Sequence, residues 1–82
     1  MQSFTIVSFN QRTYVSGGVV CVVRSHHAAQ QVTKDLKAGQ SDTDHLAGWR
    51  YFIEESDLKP GMDADEATRV RQSRFDLQDS AV

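Results

Sequence analysis

The residues that most invite a metal or nucleophile reading are His26, His27, His45, the single cysteine Cys21, and Asp42 and Asp44 close to His45. Adjacent residues at a helix start point in different directions, so His26 and His27 do not chelate together as an i, i+4 pair does. A site would need the 42–45 segment folded back over the start of a helix whose far end it follows, roughly 18 Å away by helix rise. No metal is expected. Cys21 lies mid-strand among valines, where a buried, inert thiol is the expected state. With no second cysteine in the chain there is no internal disulfide, which points to a reducing compartment.

The remaining constellations are equally thin. Glu54 and Glu55 are successive strand residues and face opposite sides, so they do not form an acid/base pair. The Asp-x-Asp pairs at Asp42 and Asp44, and at Asp63 and Asp65, lack the glycine and terminal glutamate of a calcium loop. Gly17 and Gly18 lack everything else in a phosphate-binding loop. No catalytic residue and no cofactor are expected, and a non-enzymatic protein is the reading.

The elements that would position these groups centre on residues 17–36. Residues 19–23 form an apolar strand that runs through Arg24 and Ser25 into a helix. Val20 and Val22 fall on one face and Val19, Cys21 and Val23 on the other, which predicts a central strand with a neighbour on each side. Ser25 is a helix N-cap; Ala29, Val32 and Leu36 make the buried stripe, and Lys37 and Gly39 supply the cation and the left-handed stop expected at the C-terminus. Upstream, residues 3–10 read as a strand whose apolar residues change face between Ile6 and Val7, predicting a bulge or burial on both sides. Residues 3–10 and 18–25 are expected to pair as an antiparallel hairpin with a long tip. The alternative keeps 13–15 in the strand and turns tightly at 10–12. At the tip, Tyr14 either packs back on the sheet or stands out as a contact residue.

Residues 40–45 read as loop, with Asp42 or Asp44 capping a short turn before Gly48. Residues 49–55 form a third strand with Trp49, Tyr51 and Ile53 toward the core. Phe52 lies between Arg50 and Glu54 on the other face, semi-exposed or a contact anchor. After a turn at 56–61, Asp63 and Glu66 start a helix over about 64–74, and residues 75–78 alternate like a short edge strand. The whole, residues 1–82, is one α+β domain of order β-β-α-β-α. A three-stranded antiparallel sheet would carry its helices on one face, the third strand beside the valine strand, and residues 79–82 fraying.

The start of the chain has neither a basic segment nor a continuous apolar stretch, so no signal peptide is expected. No run approaches the roughly 18 apolar residues of a membrane span. A cytoplasmic protein is expected. Net charge is −2, distributed as +3 over residues 1–41, −6 over 42–66 and +1 over 67–82. The acidic middle disfavours a general nucleic-acid binder, which needs a basic footprint, and suits a partner protein with a basic surface.

Small size, a long-tipped hairpin feeding a helix at Ser25, His26, His27, Ala28 and Ala29, a third aromatic strand and a terminal helix together resemble accessory proteins of phages and mobile elements. Among these the anti-CRISPR proteins are the functional group the chain is similar to. The resemblance is architectural and carries over no functional residue. It implies an inhibitor in a bacterial host cell that blocks a nucleic-acid-binding or effector surface of a CRISPR complex by binding. Asp42, Asp44, Glu54, Glu55 and Asp57 are the candidate contacts, with Tyr14 or Phe52 as apolar anchor. Two other classes compete. One is a small homo-oligomeric structural or regulatory domain joined through a sheet edge or the last helix. The other is a nucleic-acid-associated regulator using Arg69, Arg71 and Arg74.

Overall fold

Ile6 and Val7 are adjacent, point to opposite faces of a strand, and are both buried, which fixes the architecture. The computed structural model describes residues 2–80, with side chains described through residue 74. The first strand, β1 (Ser3–Asn10), is the middle of an antiparallel sheet and has β2 (Val15–Val23) on one side and β3 (Trp49–Ser56) on the other. The helices are α1 (His26–Gly39), the short α2 (Asp42–Ala47) and α3 (Ala64–Ser80). The α+β class and the three antiparallel strands are those the sequence predicts, with α2 as an addition.

The centre of the sheet differs from expectation, since β1 and not the valine strand is flanked on both sides. What covers the outer edge of β2 is not a strand. The Val22 carbonyl accepts the Gly61 N–H at 2.9 Å, and the Val19 N–H donates to Thr68 Oγ1 at 2.9 Å. A loop and a helix thus satisfy the backbone groups that a neighbouring strand would have taken.

The helices also lie on both faces of the sheet rather than on one. Phe4 meets His26 of α1 edge-on at 5.4 Å, and Thr33 of α1 lies beside Ile53. Phe4 and Ile53 share the face of Ile6 across the β1–β3 register. Glu54, on the opposite face, bonds Arg71 of α3, and Ala67 of α3 packs with Val19, Val22 and Leu58. Two covered faces explain why β1 is apolar on both. β2 carries two irregularities: Ser8 pairs with Gly18 and Phe9 with Ser16, so Gly17 is extra, and Ile6 pairs with Cys21 and Val7 with Val19, so Val20 is extra. The bulge at Val20 turns Val19 onto the same face as Val22, where both meet α3.

To reach α3 from β3, residues 57–63 cross the end of the sheet to the far edge of β2. The crossing is held by hydroxyls. Ser3 Oγ donates to the Leu58 carbonyl at 2.6 Å, and Ser56 Oγ lies 2.9 Å from Ser3 Oγ and 2.8 Å from Thr5 Oγ1. Ser3 and Thr5 are fully buried, so short polar side chains here replace the water a crossing loop would otherwise need. Gly18, at φ 89°, lets α3 come close: a Cβ there would lie 3.0 Å from Thr68 Cγ2.

Local signals account for the helix ends. Ser25 Oγ accepts the Ala28 N–H at 3.1 Å, and Asp63 Oδ2 accepts the Glu66 N–H at 3.2 Å. The cap of α2 is Ser41, whose Oγ accepts from Asp44, rather than Asp42 or Asp44. Within α1, Ala29 and Thr33 are buried while Val32 and Leu36 are half-buried, and Thr33 returns its hydroxyl to the Ala29 carbonyl at 2.8 Å. Residues 75–78 continue α3 instead of forming an edge strand. Of the stretch 79–82 expected to fray, Asp79 and Ser80 close α3 and the last two residues lie outside those described.

Candidate functional site

The most organised exposed feature lies at the end of the sheet where Asn10 pairs with Trp49. Two connections meet there, the β1–β2 turn of residues 11–14 and α2 leading into β3. Asn10 is buried and anchors the turn: its Oδ1 accepts the N–H groups of Arg12 at 2.9 Å and Thr13 at 3.1 Å, and its carbonyl accepts that of Tyr14 at 2.8 Å. Tyr14 takes φ 59°, a left-handed conformation uncommon for a bulky residue, and is 80% exposed. Its ring leans on Phe9 at 6.4 Å without being covered. The turn thus falls between the two sequence readings, with β2 resuming at Val15, and Tyr14 stands out rather than packing back.

The turn touches the end of α2. Gln11 N–H donates to the Gly48 carbonyl at 2.9 Å, and Gly48 ends α2 at φ 102°. A Cβ on Gly48 would come within 2.8 Å of Arg12 Cγ and 2.9 Å of Asn10 Oδ1, so only glycine permits this approach. Asp42 and Asp44 occupy the first turn of α2, and Leu46 is 67% exposed. One end of the molecule therefore carries Tyr14, Val15 and Leu46 as exposed apolar groups, while Asp44 borders Ser8, Trp49 and Tyr51 on the sheet face opposite the Phe9 ring that Tyr14 meets. Leu46 and Val15 were not singled out by sequence. The signal for Leu46 was an apolar residue in an otherwise polar segment.

The other acidic candidates are at the opposite end, where β3 pairs with Ser3. Glu54 holds Arg71 bidentately, Oε1 to Nε at 2.7 Å and Oε2 to Nη2 at 3.2 Å. Asp57 is bonded by Arg74. Glu55 is exposed, on the face of α1. The five carboxylates therefore do not form one face, and two of them neutralise arginines of α3. The same pairs engage Arg71 and Arg74, leaving exposed Arg69 with neither of those carboxylates. Phe52 is 49% exposed on the α3 face and meets Phe9 at 6.1 Å, so Tyr14, Phe9 and Phe52 form a continuous aromatic row.

The Arg74 hydrogen bond and charge hold the Asp57 carboxyl below its usual range. A lowered folded-state pKa stabilises the fold above the unfolded value, and the contribution disappears as pH falls through the folded one. Both partners are largely exposed, so solvent screening keeps the effect small. Carboxyl NMR titration is expected to show Asp57 with a low midpoint that returns to the ordinary aspartate range in Arg74→Ala. An unchanged midpoint in that variant would remove the pair from solution.

Burial pushes the Cys21 thiol up, away from a reactive thiolate. Among the described residues no three His, Cys, Asp or Glu side chains come together as metal ligands. His26 and His27 begin α1 at the Ser3 end of the sheet, whereas His45 is at the Trp49 end. No helix among the described residues is long and apolar enough to cross a membrane.

Fold and surface together define a small α+β domain with a three-stranded antiparallel sheet between two helices and a presented aromatic turn. Comparison with protein-family models, curated proteins and solved structures gives no match.

Proposed function

We propose that the protein acts by binding another protein rather than by catalysis, as an inhibitor of the anti-CRISPR type. It would occupy a basic surface of a CRISPR effector complex that otherwise holds nucleic acid. The observation that carries this reading is the Asn10-anchored turn, which presents Tyr14 at φ 59° and 80% exposure. Backbone strain and an uncovered aromatic ring both cost stability, and such features concentrate where a partner compensates them. Asp42 and Asp44, in the first turn of α2 at the same end of the sheet, supply carboxylates that are not engaged by the arginines of α3. An aromatic anchor and carboxylates presented at one end of the molecule suit the arginine- and lysine-lined channel of a nucleic-acid-binding protein.

The test is target-DNA cleavage by a panel of purified CRISPR effector complexes with this protein in excess. Stoichiometric inhibition of one complex is expected, weakened at least about tenfold by Tyr14→Ala, and by Asp42→Lys with Asp44→Lys. Failure to bind or inhibit any complex of the panel would end the inhibitor reading. Inhibition indifferent to all three substitutions would move the interface elsewhere.

A further inference from the structure

The two edges of the sheet are not alike. Gly61 and Thr68 close the outer edge of β2 at Val22 and Val19. The outer edge of β3 is open. The Gln11 to Gly48 bond sets the phase of the β1–β3 ladder, so Arg50, Phe52 and Glu54 turn their backbone groups toward β1. Trp49, Tyr51, Ile53 and Glu55 then turn theirs outward. The Trp49 carbonyl accepts Gln40 Nε2 at 3.0 Å and Arg50 Nη1 at 2.7 Å, whereas the outward groups of Tyr51, Ile53 and Glu55 meet no partner among the described residues. β3 carries charged Arg50, Glu54 and Glu55 but has no lysine, no proline and no bulge, and it pairs with β1 without interruption.

We propose that this edge binds a second copy of the chain, β3 against β3 antiparallel, with the twofold axis at Phe52. The side-chain pattern selects the register. With Phe52 opposite its twin, Arg50 of each copy faces Glu54 of the other on the same face, while Tyr51 and Ile53 exchange backbone hydrogen bonds. Moving the axis to Ile53 sets Phe52 against Glu54 and Arg50 against Ser56. Moving it to Tyr51 sets Arg50 against Phe52 and leaves Glu54 opposite Gly48. Only the Phe52 register joins aromatic to aromatic and cation to carboxylate, the pairings that stabilise adjacent strands.

The monomer already holds the parts. Phe52 is half-exposed and meets Phe9, so pairing sets Phe52 of each copy against its twin and joins the two aromatic rows across the axis. Arg50 hangs on the His45 and Trp49 carbonyls and has no carboxylate among the described ion pairs. Glu54, though bound to Arg71, keeps 40% of its side chain exposed for a second donor. Lys34 and Lys37 border Ile53 on the other face and bring like charges toward the axis. With a short strand as the contact, the pairing belongs among weak, concentration-dependent associations.

Sedimentation equilibrium over about 10–500 µM is expected to show monomer and dimer in exchange. Arg50→Glu and Glu54→Arg singly should each weaken the dimer at least about fivefold, and the combined reversal should restore it. Phe52→Cys in a Cys21→Ser background should crosslink with its twin on mild oxidation, and Arg50→Cys chains should crosslink with Glu54→Cys chains. A monomer at every concentration overturns the proposal, as does a dimer indifferent to both charge variants or crosslinking of Phe52→Cys no faster than of Thr43→Cys. Because Tyr14, Asp42 and Asp44 take no part, this outcome is independent of the inhibitor assay.

Discussion

Ile6→Ala is expected to remove much of the protein's stability. Ile6 is fully buried in the central strand, between Cys21 and Ile53 and on the α1 face. Truncating such a side chain costs about 2–5 kcal/mol, because transfer energy is lost and the cavity does not fully collapse. A domain of this size holds about 4–12 kcal/mol in total. The midpoint of thermal unfolding should fall by about 10–25 °C, read by far-UV circular dichroism and Trp49 fluorescence. Phe52→Ala, at a half-exposed position on an edge strand, should cost under about 1.5 kcal/mol. Equal costs at the two positions would contradict β1 as the centre of the sheet.

Ala67→Asp should be as damaging by a different route. Ala67 is fully buried against the apolar side chains of Val19, Val22 and Leu58, which offer no hydrogen bond to a carboxylate. Arg71 lies one turn along but is already held by Glu54. An aspartate is too short to reach water from this position, so either the charge is buried or α3 lifts from the sheet. The expected loss is about 3 kcal/mol or more in a denaturant titration. Hydrogen exchange should speed up at the Val19 amide, which donates to Thr68 only while α3 is docked. Ala38→Asp, exposed near the end of α1, should cost under about 1 kcal/mol. A small effect at Ala67 would mean that α3 contributes little to the core.

The sequence disclosed the cap and stripe of α1, which are local, but not its stop: Gly39 is the last helical residue rather than a left-handed one, and Gln40 in extended conformation is the cap. The sheet order was less legible for a physical reason. Burial on both faces reports that a strand is covered above and below, and says nothing about what lies beside it. Residues 4–9 and 19–23 both satisfied the pattern, and the choice between them rests on the crossing loop and Thr68, which reach Val22 and Val19 from far along the chain. Helices on both faces follow from that same crossing, which takes the chain past the end of the sheet before α3 begins. The bulge at Val20 was hidden likewise, since one extra apolar residue in an apolar run leaves no mark. Ser41 is indistinct as a cap in sequence because Asp42 and Asp44 beside it are equally good cap residues.

The acidic segment shows how sequence distance misleads in a strand. Asp44 and Glu55 are eleven positions apart, and β3 lies between them, spanning roughly 25 Å at strand rise. What looked like one charged patch is two ends of the molecule, one of them bound to its own arginines. Tyr14 was legible as a candidate, but its exposure depends on Asn10, whose role in the turn requires it to be buried.

The position of β1 also bears on how the chain is made. The strand that ends in the middle of the sheet is synthesised before either neighbour. Its first edge is matched as soon as β2 follows, by a hairpin with a short turn. Its second waits for residues 49–56, some forty positions later, which at ribosomal rates of about 5–20 residues per second is a delay of about 2–8 s. Through that interval the nascent hairpin carries Phe9 and Val7 beside an unsatisfied backbone edge. The growing chain is therefore most vulnerable to aggregation, and most attractive to a chaperone, before Trp49 emerges.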